Sequence, residues 1–203
     1  MLKKYKNTQV KVVSGNNFLN NKIRIKDHCY FSKFNHCWGW ATWKDAWLLY
    51  DEKLTHWVKF KNTKKWKSLF TNKLDRKYWE KIFDLCRQNY FDSWAYPWMY
   101  SILYNRGCCV LPKFNLVKNI GHVGTHNKFN SKFYYPTRKL DLNFKYPKKI
   151  TINIKADEIV MRDFFKPQNL LWPYRFFYLL KIFLINPNQF INISIKKIKN
   201  AVI

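Results

Sequence analysis

Apolar and polar side chains alternate over residues 9–13 (QVKVV), which predicts a short strand running into a Ser14-Gly15-Asn16-Asn17 turn. A second strand is expected at 29–32 (CYFS). Thr42 and Asp45 have the spacing of a capping box and predict a helix over about 43–50. Asp75 can cap another helix, on which Tyr78, Trp79, Ile82, Phe83 and Cys86 fall on one stripe at helical spacing. Ser93 is placed to cap a third, near 94–105, with Pro97 in its first turn or so and Gly107 as its stop signal. Short strands are expected at 109–112 (CVLP), 114–117 (FNLV) and 150–154 (ITINI), and a short helix at 156–165. A glycine-punctuated loop, Asn119 to His126, and an extended polar-aromatic arm over 127–149 separate them. Alternation of this kind implies an α/β chain.

The pattern changes near the end. LLWPYRFFYLLKIFLI (170–185) is almost wholly apolar, broken by Pro173, Arg175 and Lys181, and a tail with Lys196, Lys197 and Lys199 follows. Sixteen residues are too few to span a bilayer, which takes about 20. The aromatics and flanking cations suit a membrane interface, and a helix packed on a protein core is the alternative. The chain therefore divides into 1–165 and a basic, amphipathic helical extension, 166–203. Its start, MLKKYKNTQV, has no apolar h-region, so no signal peptide is expected.

Charge narrows the partners. Lys plus Arg number 38 against 12 Asp plus Glu, a net +26. Such a field attracts nucleotide diphosphates, nucleic acid or anionic lipid, although the lysines are spread along the chain as a generally Lys- and Asn-rich composition would spread them. The five cysteines (29, 37, 86, 108, 109) are odd in number and form no C-x-x-C, which implies a reducing compartment. His28-Cys29 and His36-Cys37 do not have the spacing of a closed zinc site.

Aromatic residues are 20% of the chain, and the densest signal is His36-Cys37-Trp38-Gly39-Trp40-Ala41-Thr42-Trp43. Indole faces stack on the C–H face of a sugar ring, and Gly39 lets backbone approach closely. The alternative is a loop whose tryptophans fill the core.

The string from Tyr30 to Trp43, Y-F-S-x-F-x-H-C-W-G-W-A-T-W, resembles a block of a bacterial branch of family 2 glycosyltransferases. Other segments resemble the family in order and spacing. They are Ser14 to Phe18, Trp79, Asp92 to Trp98, and Leu111-Pro112 through Asn115-Leu116-Val117-Lys118-Asn119-Ile120-Gly121 to Thr125-His126. The resemblance covers about residues 1–165. It implies a GT-A fold, a Rossmann-like sheet with an acceptor-side half, and a D-x-D motif holding a divalent metal (Mn²⁺ or Mg²⁺) on the donor diphosphate. No D-x-D or E-D-D occurs in the 203 residues. Met1 to Tyr5 resembles the middle of the helix that follows D-x-D in the family. The expectation is therefore a partial GT-A fold lacking its N-terminal nucleotide-binding strands, either a truncated product or one piece of a split protein, with the missing half as a possible separate chain.

The resemblance assigns roles residue by residue. His36, Trp38, Gly39, Trp40, Trp43, Trp94 and Trp98 would form the acceptor wall. Asn119, Gly121 and His126 would meet the diphosphate, and His126, with His122 four residues away, is the metal candidate. An inverting transferase needs a carboxylate base. Asp92 is the first choice, with helix capping as its alternative. Many relatives carry a carboxylate where this chain has Ala95. Asp45 is expected to serve the capping box, and Asp51 and Glu52 a solvated helix end.

The implied activity is transfer of a sugar from a nucleotide-diphosphate sugar to a glycan or lipid-linked acceptor in surface polysaccharide synthesis, in the cytoplasm or at the inner face of its membrane. Without a donor half the chain is expected to be inactive alone and marginally soluble. The competing reading is a basic, aromatic binding module for nucleic acid or a membrane surface, although no nucleic-acid motif is present.

Overall fold

The computed structural model describes residues 1–90, 92–118, 136–139 and 143–171, together with positions 176, 180, 183 and 184. They belong to two compact units, Met1–Phe164 and Phe165–Ile203. The first is a mixed α/β unit built on a four-stranded sheet.

The strands are β1 (Val10–Ser14), β2 (Cys29–Ser32), β3 (Trp40–Ala41) and β4 (Cys108–Pro112), in the order β2-β4-β1-β3. β4 runs parallel to β1 and antiparallel to β2, and β3 pairs antiparallel with β1. All residues of β2 and β4 are buried, which explains why their sequences are continuous apolar runs with little alternation. β1 alternates buried and half-buried positions, as its sequence does. The 114–117 segment is not a strand. It folds around Asn115, whose Nδ2 donates to the Val117 carbonyl at 2.7 Å. Of 150–154 only Ile152 bridges to the sheet, through Phe31.

The helices are α1 (Leu2–Tyr5), α2 (Lys44–Trp47), α3 (Trp57–Phe60), α4 (Lys64–Ser68), α5 (Lys73–Arg87), α6 (Ala95–Tyr104) and α7 (Ile154–Val160). Their caps differ from expectation. The Thr42 hydroxyl donates to the Lys11 carbonyl at 2.6 Å, tying β3 to β1, so α2 has no capping box. Asn72, not Asp75, caps α5 by accepting from the Leu74 N–H. Trp94 holds the N-cap position of α6 and Ser93 does not cap it. The α6 C-terminus is a Schellman motif in which Gly107 N–H donates to the Ile102 carbonyl and Arg106 N–H to that of Leu103. Arg106, at φ 53°, takes the left-handed position usually given to glycine. Gly107 is needed for space, since a Cβ there would lie 2.6 Å from Lys11 Cγ. α7 begins two residues before the expected helix and continues as a π-helical turn, Met161–Phe165.

An aromatic core joins α3 to α6. Trp57, Trp66, Trp79, Phe83 and Tyr100 are buried. Trp57 meets Trp66 at 4.8 Å and 84° and Phe83 at 5.2 Å and 80°, the edge-to-face geometry that aromatic quadrupoles favour. The Trp57 indole N–H donates to Asp84 at 2.7 Å, and that of Trp66 to Glu80 at 2.9 Å.

The second unit contains a 3₁₀ turn, Pro167–Leu170, entered through Lys166 in a left-handed conformation. Phe176, Leu180, Phe183 and Leu184 are helical and exposed. Among the described residues no helix is long and apolar enough to cross a membrane. The other residues of 172–203 lie outside the described set, including Trp172, Tyr174, Arg175 and the tail lysines.

Candidate functional site

Three chain segments meet beyond the C-terminal ends of the parallel strands β1 and β4, the edge where open α/β sheets place their sites. The Ser14 hydroxyl donates to the His36 carbonyl at 2.7 Å, and Gly15 N–H donates to the Gly39 carbonyl at 2.8 Å. Gly39 has φ +58°, and a Cβ there would come within 2.4 Å of Val117 Cγ1. Only glycine lets the indole-bearing loop close over Val117. Asn115 completes the junction by accepting from the Asn17 backbone N–H at 3.2 Å and the Asn16 side chain at 3.4 Å. A shallow recess, open to solvent and with room for little more than a water molecule, lies beside it, lined by Asn17, Asn20, Asn21, Phe114, Asn115 and Pro136.

The loop is thereby fixed, and it delivers Trp40 to the edge strand β3. Trp40 stacks on Trp94 with centroids 4.9 Å apart and planes at 27°. Trp47, from α2, lies 5.8 Å from Trp40 and 6.4 Å from Trp94, and it stacks on Tyr50 at 4.7 Å and 5°. Trp98 supports this tier from below, 5.0 Å from Trp47. The platform is unusual for its exposure. Trp47 is 38% and Trp94 41% accessible, and Leu48 between them in the chain is 73%. Each exposed indole leaves on the order of 100 Å² in water and forgoes about 2 kcal/mol of burial. Contiguous exposed aromatic surface of this kind marks a contact site more often than an accident of folding.

The other expected site residues are dispersed. His36 and Trp98 have no exposed surface and present nothing to a ligand in this conformation. The His36 ring lies 4.5 Å from Phe18, its Nδ1 is 3.4 Å from the Asn16 carbonyl, and its Nε2 has no partner. Burial drives its pKa down to about 3, so the ring is neutral. Trp38 is half-buried and packs edge-on against Phe18 at 5.2 Å. Trp43 sits away from the platform against the sheet core, its indole N–H donating to the Leu2 carbonyl at 3.1 Å. Asp92 is exposed two residues before Trp94. Asn119, Gly121, His122 and His126 lie outside the described residues. Among the described residues no group of three or more His, Cys, Asp or Glu could hold a metal, so they do not fit the divalent ion that the resemblance implies.

Two features escaped the sequence. Trp47 and Tyr50 belong to the platform because tertiary packing brings them there. Asp157, on α7, is buried and accepts from the Ser32 hydroxyl at 2.5 Å and the Lys33 backbone N–H at 3.2 Å. Burial raises its carboxyl to about 6 against these bonds and nearby Lys33. The Lys33 ammonium is lowered by burial, donates to the Leu69 carbonyl and sits over the Phe34 and Phe70 rings. Ser32 is wholly buried, so this group pins α7 to β2 and offers no access to a substrate.

No family model, no curated protein and no solved structure matches the chain.

Proposed function

We propose that this chain is the acceptor-binding part of a glycosyltransferase that uses nucleotide-diphosphate sugars, with a partial GT-A fold. The observation that carries the reading is the tier in which exposed Trp94 and Trp47 flank half-buried Trp40. Planar apolar faces with polar groups at their margins suit the C–H face and hydroxyl rim of a sugar ring. Asp92 is the carboxylate placed nearest in sequence to Trp94, and as a general base it would take the proton of the attacking acceptor hydroxyl. The 203 residues supply no D-x-D, so the carboxylates that hold the donor's metal in such enzymes would come from elsewhere, while Asn119, Gly121 and His126 would reach the diphosphate and its metal.

Affinity electrophoresis through gels containing polysaccharide tests the reading. The intact chain should be retarded and Trp94→Ala should migrate freely. Equal migration of both in every gel would remove the platform from sugar binding.

A role at the membrane surface is compatible with this reading and would place the platform among lipid-linked acceptors. It is favoured by Phe176, Leu180, Phe183 and Leu184, exposed at helical spacing. Removing residues 170–203 should then abolish sedimentation with anionic liposomes at low salt. Unchanged sedimentation would assign the segment a structural role.

A further inference from the structure

Phe114 is the one ring among the described residues with two cations over it. The Arg138 guanidinium lies 4.1 Å from its centroid and the Lys113 ammonium 5.3 Å. Neither side chain makes a hydrogen bond or ion pair among the described residues. Lys33, Lys61 and Lys65 also lie over rings, but each spends its ammonium on a carbonyl or a carboxylate. Lys4 stands alone over Tyr146. Like charges gathered on one ring repel, and a counter-charge between them relieves both. Phe114 also lines the small recess beyond the ends of β1 and β4, with Asn20 and Asn21, whose side-chain amides are likewise unspent among the described residues. No acidic residue lines that recess. The mount is firm: Asn17 Nδ2 donates to the Pro112 and Lys113 carbonyls at 2.7 and 2.8 Å, and Arg138 N–H to the Asn115 carbonyl at 2.9 Å.

We propose that Phe114, Arg138, Lys113, Asn20 and Asn21 form a binding site for a phosphoryl group. A recess with room for little more than a water molecule accepts one oxygen atom of such a group. The guanidinium fork can bind two further oxygens through parallel N–H···O bonds. The ring face holds that fork in place, so less side-chain freedom is lost when the anion arrives. Lys113 supplies a second positive charge against the near-double negative charge of a phosphate monoester at neutral pH. The amides of Asn20 and Asn21 supply donors at the margin. A carboxylate brings two oxygens and one charge, and would leave either the recess or the fork unfilled. The net +26 draws any anion towards the molecule, and the arrangement at Phe114 selects among those that arrive. The crevice outside the strand ends is also where open α/β sheets bind ligands. Nothing in this site requires that the indole platform bind sugar.

Nitrogen-15 spectra of the full chain, titrated with inorganic phosphate, glucose 1-phosphate and acetate at neutral pH and about 0.15 M salt, test this. The Arg138 Nε–H signal and the side-chain amides of Asn20 and Asn21 should shift together and saturate with phosphate. Saturation by glucose 1-phosphate as well extends the site to phosphate esters, and saturation by inorganic phosphate alone restricts it to the free ion. Arg138→Gln should weaken binding about tenfold, as loss of a charge-assisted pair of bonds does. Lys4→Gln removes the other ring-held, unspent cation and should change binding by less than about twofold, because at this salt a distant charge is screened. Near-UV circular dichroism verifies that both variants are folded. Acetate bound as tightly as phosphate, equal effects of Arg138→Gln and Lys4→Gln, or no saturable shift at these three side chains overturns the proposal.

Discussion

The tryptophans of this chain occupy two opposite environments. Trp57, Trp66 and Trp79 are fully buried among α3 to α6, and the first two each give their indole proton to a carboxylate. Trp40, Trp47 and Trp94 meet near the surface, with Trp40 stacked on Trp94 and Trp47 tilted against both. In the core, rings meet edge to face and acids satisfy them. On the platform, Trp40 stacks on Trp94 and Trp47 on Tyr50, Trp47 meets Trp94 at 66°, and Trp47 and Trp94 keep part of their surface in water. Aromatic residues in this chain therefore occupy two distinct structural roles. One set stabilises the helical layer, and the other keeps part of its apolar surface in water, as the proposed sugar wall requires.

The largest effect should come from breaking the first set. Trp66→Ala opens a cavity and leaves Glu80 without its indole donor. It should cost about 3–5 kcal/mol in urea unfolding. Trp94→Ala should cost less, about 1–2 kcal/mol in the same assay, because 41% of the residue is already in water. Similar losses for the two would erase the distinction.

Gly39→Ala attacks the mounting of the platform rather than its rings. The left-handed backbone and the 2.4 Å approach to Val117 should together cost about 1–3 kcal/mol and displace Trp40. Val117→Ala in the same chain should recover part of the loss, since it removes the opposing methyl groups. A double variant as unstable as the sum of the singles would show that the two positions are independent.

A smaller effect lies in pH. His36, whose pKa falls from 6.5 to about 3 on folding, contributes stability above pH 6.5 that is lost as pH falls towards 3. Asp157, raised from 3.8 to about 6, acts in the opposite sense: its contribution is present below pH 3.8 and is lost as pH rises through 6. Between about pH 4 and 6 the two oppose each other, each on the order of 3 kcal/mol. Melting temperature should therefore vary little from these groups in that window. Asp157→Asn should melt progressively lower as pH falls from 6 to 4, and His36→Gln progressively higher. Parallel pH profiles for the two variants would refute the opposition.

Parts of this were legible from residue order. The strand at 29–32 and the apolar stripe of α5 stand out because period and burial coincide there: Trp79, Phe83 and Cys86 are the buried positions of that helix. Helix caps were less legible, because a cap depends on which nearby acceptor competes. Thr42 had the right spacing but found the Lys11 carbonyl across the sheet. The 114–117 run looked like a strand, yet Asn115 bends it into the junction under the loop. Sequence could show that indoles crowd between 38 and 43. It could not show that Trp43 turns inward to the Leu2 carbonyl while Trp40 joins Trp47 and Trp94, since those neighbours are set by packing. Asp157 and Ser32 are 125 positions apart, beyond any local pattern.

If the proposed sugar wall is correct, the indoles of the surface tier, and not the buried ones, meet the ligand. Nitrogen-15 indole spectra of the full chain report each tryptophan separately through its Nε1–H. On addition of a neutral oligosaccharide, the signals of Trp40, Trp47 and Trp94 should shift or broaden, while those of Trp57, Trp66 and Trp79 stay in place. Shifts confined to the buried set, or none at saturating sugar, would rule out the surface tier as the sugar-binding wall.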